Sequence, residues 1–296
     1  MLAQLRLFQT LPTTLSATHL LVLIPKGKTL PKGLPHGDLL AAVLKRRDMK
    51  VDELLKSPIS ANAGSGGLVA WAMLDFAKDT FALQTQVRKA LQLLLEENPK
   101  ELSIAVLGDE VQRKCAAELA VYGAWVNGSP LPVRKKKAER KPLQKIELYG
   151  YADKTAFDSI KAMADGNLLC RELTVLPPNE LTPGQYRTRI NKLAQQYHWK
   201  HEEFDMKALR KMGAGAFVAV AQGSDPEDAA IVHLSYKHPK AKKTIALVGK
   251  GICFDTGGHN LKPSRYMHNM HEDMNGSAVA LGILLAATQK KFPVNL

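Results

Sequence analysis

Across its first half the chain alternates apolar runs of strand length with longer stretches whose apolar side chains recur every three or four residues. That alternation restricts the fold to an α/β design, a parallel or mixed sheet covered by helices. Leu20 to Ile24 reads as a short strand, and Asp38 as the N-cap of a helix through LLAAVLKRR. Residues 67–76 (GLVAWAMLDF) fit either a strand or a buried helix, since periodicity does not separate the two. A helix over 86–98 follows from the spacing of Val87, Leu91, Leu94 and Leu95. Ser103 to Leu107 reads as a buried strand and 109–123 as a helix. A Lys-rich run and Pro142 then break the pattern, before a last strand at 146–151 and a connecting helix over 153–172.

The second half opens on Pro177-Pro178, which holds the backbone extended. Thr182, Pro183 and Gln185 form a helix start with a capping box, and Tyr186, Ile190, Leu193, Ala194 and Tyr197 share one face of that helix. Asp205 caps a shorter helix ending at Gly213. Strands are expected at 215–221, 230–235 and 244–249, with Asp225 to Asp228 as a loop between strands. At 296 residues the chain is long enough for two cores. The expected division is an N-terminal α/β domain over 1–150, a connecting helix over 151–172, and a second α/β domain over 173–296.

Cys115, Cys170 and Cys253 are odd in number and form no CxxC pair, against a disulfide scaffold or thiolate zinc site and in favour of a reducing compartment. The N-terminus lacks the basic start and clean apolar block of a signal peptide, and no uncharged apolar stretch approaches a membrane span. A cytoplasmic location is the default expectation. The net charge of +13 invites a nucleic-acid partner, and much of the excess lies in Arg134 to Lys141 with Lys145 beyond. No aromatic residue interleaves with that run, which reads as a solvated loop or linker.

The stretch that carries chemistry is VGKGICFDTGGHNLKPSRYMHNMHEDMNGSAVALG, residues 248–282. A buried strand is expected to end at Lys250, with Asp255 just beyond it in a turn bounded by Gly251, Gly257 and Gly258. Lys262 precedes Pro263, and Asp273 stands before a helix over Ser277 to Ala287. Charges at the end of a buried strand are costly unless paired or bound to metal, and glycines allow close backbone approach to a ligand. Asp255 and Asp273 suit hard or borderline divalent ions, and one carboxylate can bridge two ions about 3.5–4 Å apart. A lysine beside them can donate a neutral amine to metal or, as an ammonium, stabilise an oxyanion. By pattern alone, the same charges equally fit a solvated surface around a Gly-rich loop.

The order and spacing of Lys250, Phe254, Asp255, Gly257, Gly258, Lys262, Pro263, Met270, Asp273, Met274, Gly276 and Ala278 resemble the catalytic signature of the leucine (cytosol) aminopeptidase family. RELTVLPPNELTP (171–183) and MGAGAFVAVAQGS (212–224) resemble the segments that lead toward that site. The likeness covers roughly 165–296 strongly, whereas the first 150 residues resemble the family in architecture only, as a domain of macro-domain type. It implies an incomplete C-terminal metallopeptidase domain with a mixed sheet and metal-assisted hydrolysis of the N-terminal peptide bond of peptides. It also implies two divalent ions, Zn²⁺ or Mn²⁺, and a homohexameric assembly. Lys250, Asp255 and Asp273 would be metal ligands, Asp255 bridging; Lys262 would contact the scissile carbonyl; Met270 would line the pocket for the substrate's first side chain.

The family's second signature, Asn-Thr-Asp-Ala-Glu-Gly-Arg, supplies further metal ligands and an arginine that holds bicarbonate, and nothing like it occurs here. Leu296 is therefore expected to be a truncation point, and this polypeptide alone to turn over poorly and bind metal weakly. An inactive relative and a DNA-binding protein using the basic segment are the rival readings. His259, His268 and His271 are expected to be surface or supporting polar groups, Cys253 a packed small residue, and Ala63 to Gly67 a turn lacking phosphate-loop spacing.

Overall fold

The six consecutive buried or half-buried positions from Leu20 to Pro25 mark a strand covered on both faces, the signature of a sheet with layers on either side. The computed structural model describes residues 2–12, 17–136 and 140–296. Part of the basic run, Lys137 to Glu139, and part of the apolar N-terminal segment, residues 13–16, lie outside the described residues. The chain divides into two compact units, Met1–Ala164 and Asp165–Leu296.

Unit 1 is built on strands β1 (Gln4–Phe8), β2 (His19–Pro25), β3 (Ile59–Ala63), β4 (Gly67–Leu74), β5 (Glu101–Val106) and β6 (Lys145–Tyr149). Its helices are α1 (Gly37–Arg46), α2 (Thr80–Leu95) and α3 (Glu110–Asn127), and α4 (Lys154–Thr174) contains the division between the units. The sheet order is β1-β6-β5-β2-β4-β3, parallel throughout except for β3, which pairs antiparallel with β4. Alternate residues of β2 face two cores. Leu21 and Leu23 join α2 and α3, through Val87, Leu91, Ala117 and Val121, while Leu20, Val22 and Ile24 join α1, through Leu40, Val43 and Leu44. The ambiguous segment 67–76 is strand β4, paired along its length with β2. Asp79 and Asp109 cap α2 and α3, each accepting a backbone N–H at 2.8 Å. The buried Trp71 and Trp125 indoles donate to the carbonyls of Pro35 and Ala3. The expected N-cap Asp38 instead lies in the first turn of α1. His36 occupies the cap with φ of 53°, so the turn comes from a left-handed residue and the acidic side chain sits in the first turn, where the helix dipole favours negative charge.

Unit 2 contains α5 (Pro183–Tyr197), β7 (Lys200–Asp205), α6 (Met206–Lys211), α7 (Gly215–Ala221), β8 (Ala230–Ser235), α8 (Ser264–Met267) and α9 (Asn275–Gln289). Thr182 caps α5 and Asp205 caps α6, and Gly213 follows α6 with φ of 74°. β7 and β8 form an antiparallel pair. The core gathers Tyr186, Ile190 and Ala194 of α5 with Met274, Ala278, Leu281 and Leu285 of or beside α9.

Two expected strands are corrected. Residues 215–221 are helix α7, not a strand; with no strand pairing them among the described residues, an Ala-rich run satisfies its backbone internally. The expected strand at 244–249 carries a single bridge, Thr244 to Asn295, so Lys250 does not end a buried strand. Among the described residues no strand lies alongside it, and its apolar side chains stay open, Val248 being 97% exposed. Unit 2 therefore presents its signature residues on loops and helix starts.

Candidate functional site

Asp255 sits at the head of a loop that doubles back on itself. Gly257 and Gly258, with φ of 93° and 70°, take left-handed conformations that suit glycine, and a Cβ on Gly257 would lie 2.6 Å from the Asn260 carbonyl oxygen. The reversal is closed by the Lys262 N–H donating to the Thr256 carbonyl at 2.9 Å. It brings the Lys262 ammonium back over Asp255, donating to Oδ2 at 2.8 Å and to the backbone carbonyl at 2.6 Å. Asp255 Oδ1 accepts the Gly257 N–H at 2.8 Å. The Met270 sulfur, 3.5 Å from Lys262 Nζ, completes the surroundings of the amine.

The second pair spans a longer stretch of chain. Lys250 Nζ donates to Asp273 Oδ1 at 2.8 Å and stands equally close to Oδ2. Asp273 immediately precedes the N-cap of α9, where the helix dipole favours negative charge. The Lys262 ammonium, the Gly257 N–H and the more distant charge of Lys250 together hold the Asp255 carboxyl below the usual carboxylate range, the Lys262 hydrogen bond contributing most. Met270 joins the two ion pairs, its sulfur lying against Lys262 Nζ and its carbonyl accepting the Asp273 N–H at 3.3 Å. Beside them opens a shallow cavity of about 250 Å³ lined by Tyr266, His268, Asn269, Met270, Glu272 and Asp273.

All five residues singled out from the sequence, Lys250, Asp255, Lys262, Met270 and Asp273, thus enter one set of contacts. As donors, two carboxylates and a lysine amine are of the type that divalent ions accept. No three His, Cys, Asp or Glu side chains gather as a metal-binding cluster among the described residues. His259, His268 and His271 therefore do not join Asp255 and Asp273 in such a cluster. Cys253 is buried, and burial pushes its thiol up to about 11, with Asp228 adding to the effect. Two residues that sequence reasoning passed over also reach this region: the Tyr186 hydroxyl meets Ser277 Oγ at 3.0 Å, and the Ser277 N–H donates to the Lys250 carbonyl at 2.9 Å. A polar side chain on the apolar face of α5 was the available signal.

Residues 168–296 match the description "Cytosol aminopeptidase family, catalytic domain". The second unit thus resembles the catalytic domain of the cytosol aminopeptidase family. A probable cytosol aminopeptidase of Pseudomonas fluorescens is 33% identical over 312 aligned positions, covering 96% of this chain and 61% of the relative. Curated members of the family are spanned over 34% to 61% of their own length in the alignments with Stutzerimonas stutzeri and Pseudomonas fluorescens proteins. The fold is also that of solved aminopeptidases. The leucyl aminopeptidase of Trypanosoma cruzi superposes with a TM-score of 0.76 at 22% identity, over 96% of this chain and 58% of that one. A bottromycin maturation enzyme in complex with Mn superposes with a TM-score of 0.71 at 23% identity, over 95% and 58%. No helix of the described residues is long and apolar enough to cross a membrane.

Proposed function

We propose that this chain is a member of the cytosol aminopeptidase family and carries the Lys250–Asp273 and Lys262–Asp255 half of a two-metal site that hydrolyses the N-terminal bond of peptides. The single observation behind this reading is that both ion pairs fall within the family-matched segment and are linked through Met270. Asp255, Asp273 and the Lys250 amine would hold the ions, Zn²⁺ or Mn²⁺, and the Mn-bound fold neighbour supports that choice. When bound, such ions supply Lewis acidity toward a carbonyl oxygen.

The chain's own groups then have distinct tasks. Lys262, as an ammonium, would turn from the Asp255 backbone carbonyl to the scissile carbonyl oxygen and stabilise the negative charge that develops there. The Met270 thioether beside it offers a soft apolar wall for the substrate's first side chain. With two carboxylates and one amine as donors, the chain by itself is expected to hold metal weakly and to turn over slowly.

The test has two parts. Mn²⁺ binding, followed by loss of the free-ion EPR signal, should weaken in Asp255→Asn and Asp273→Asn. Release of the chromophore from an aminoacyl anilide should be tracked with Mn²⁺ in wild type and in a chimera that adds the remaining portion of the Pseudomonas fluorescens relative. Lys262→Ala should lower chimera turnover by about 10²–10³-fold, the usual cost of losing one oxyanion donor. Equal turnover with and without Lys262 would refute the role given to it.

A further inference from the structure

Helix α9 begins without a side-chain cap, its N-cap position being Met274. Its early N–H groups need acceptors from elsewhere. One of them, the Ser277 N–H, is shared between the Met274 carbonyl at 3.1 Å and the Lys250 carbonyl at 2.9 Å. The backbone of Lys250 thus acts as part of the cap. The contact is possible because both chains are bare where they meet. A Cβ on Gly249 would lie 2.7 Å from the Gly276 carbonyl oxygen, and one on Gly276 would lie 3.1 Å from the Lys250 nitrogen.

The Ser277 side chain ties the same point to the core. Its hydroxyl donates to the Met274 carbonyl at 2.7 Å, which leaves its oxygen to accept from the Tyr186 hydroxyl 3.0 Å away. Tyr186 is held on α5 among Ile190, Ala194 and Met274, and is only 5% exposed. A hydroxyl buried so deeply needs a partner, and among the described residues Ser277 supplies it. The chain of bonds runs from α5 through Ser277 to the carbonyls of Lys250 and Met274. Those are the backbone of one member of the Lys250–Asp273 ion pair and the residue next to the other.

We propose that Tyr186 is a positioning residue for the Lys250–Asp273 pair, acting through Ser277. It touches neither charged group. By fixing the Lys250 carbonyl against the start of α9, it sets the separation from which the lysine amine and the carboxylate meet. Its functional meaning rests on the reading of Lys250 and Asp273 as cation ligands, since partners behind metal ligands orient them and tune affinity. The geometric claim can be measured without metal.

The experiment uses the full chain labelled with ¹⁵N and ¹³C. Scalar coupling across the hydrogen bond is read from Lys250 Nζ to Asp273 Cγ, and from Lys262 Nζ to Asp255 Cγ as the internal reference. In Tyr186→Phe and in Ser277→Ala the first coupling should be lost or fall to less than half, while the second keeps its wild-type value. An unchanged Lys250–Asp273 coupling in both variants overturns the proposal. So does a parallel fall of both couplings, which reports general loosening.

A Mn²⁺ titration then separates the two ideas. Broadening of the Asp255 and Asp273 carboxyl signals in wild type, with affinity about tenfold weaker in the variants, supports positioning of a cation site. Wild-type signals untouched by Mn²⁺ would remove the cation reading alone, and the couplings would still decide the role of Tyr186.

Discussion

The seam between α4 and α9 in unit 2 offers a sharp test, because two glycines meet there backbone to backbone. In Gly282→Ala the new Cβ would lie 2.5 Å from the Gly166 carbonyl oxygen, 3.2 Å from its carbon and 3.6 Å from the Cys170 Cβ. A comfortable carbon–oxygen contact is about 3.3 Å or more, so the helices must part by about 0.8 Å. A gap of that size forfeits about a quarter to a half of the dispersion between facing atoms. The obstructing atom is backbone, so no side-chain rotation relieves it. Overpacking of this kind costs about 2–3 kcal/mol, against about 1 kcal/mol gained from the better helix propensity of alanine. The net expectation is a loss of about 1–2 kcal/mol.

The assay is urea unfolding with hydrogen exchange of the α9 amides as the local reporter. Gly215→Ala is the matched control, since nothing lies within 4 Å of a Cβ built there and its φ is not in the left-handed range. It should be neutral or stabilising by up to about 1 kcal/mol. Gly282→Ala unfolding at or above the wild-type midpoint would refute the packing argument.

Three further outcomes follow from buried or paired titratable groups. With its thiol pushed up to about 11, Cys253 should carry about a thousandth of its population as thiolate at pH 8. Mass spectrometry after alkylation should find it the slowest of the three cysteines in the native protein, and equal labelling would contradict its burial. Tyr149, raised mainly by burial and then by its hydrogen bond to Glu147, and Tyr186, raised by burial, should both ionise near pH 12. A raised pKa contributes stability below the ordinary value near 10 that is lost as pH climbs toward 12. Absorbance at 295 nm should therefore show a late phase, reduced in Tyr186→Phe. The lowered pKa of Asp255 has the opposite sign. Its pairing with Lys262 persists above the ordinary carboxylate range and is lost as pH falls through the depressed value. Carboxyl ¹³C shifts of Asp255 should move to a higher titration midpoint in Lys262→Ala.

Much of unit 1 was legible because burial on both faces writes itself as unbroken apolar runs, as in Leu20 to Ile24 and Ser103 to Leu107. Caps were legible for a similar local reason, since Thr182 and Asp205 need only their own following turn. Strands β1 and β3 went unread. QLRLF and ISANA are short and mixed in polarity, and their identity comes from pairing with β6 and β4. The segment GAFVAVA shows the converse: its composition suits either state, and the absence of a pairing strand among the described residues leaves it helical. At the site, ordered spacing from Lys250 to Asp273 identified the residues, but not which lysine meets which carboxylate. That pairing depends on the left-handed turn at Gly257 and Gly258, which returns Lys262 to Asp255 and leaves Lys250 for Asp273. Tyr186 could be read only as a core position, because its partner lies 91 residues away.

The bare apolar stretch around Val248 has a practical consequence for handling the molecule. Ile245, Leu247 and Val248 present open side chains beside backbone that, among the described residues, is bridged at its Thr244 end alone, a surface on which copies can stack. A net charge of +13 keeps such copies apart in dilute buffer. Salt shortens the reach of that repulsion to about 10 Å at 0.1 M. Clouding of the solution should consequently begin at lower protein concentration as salt is added, and a lysine at position 248 should delay it.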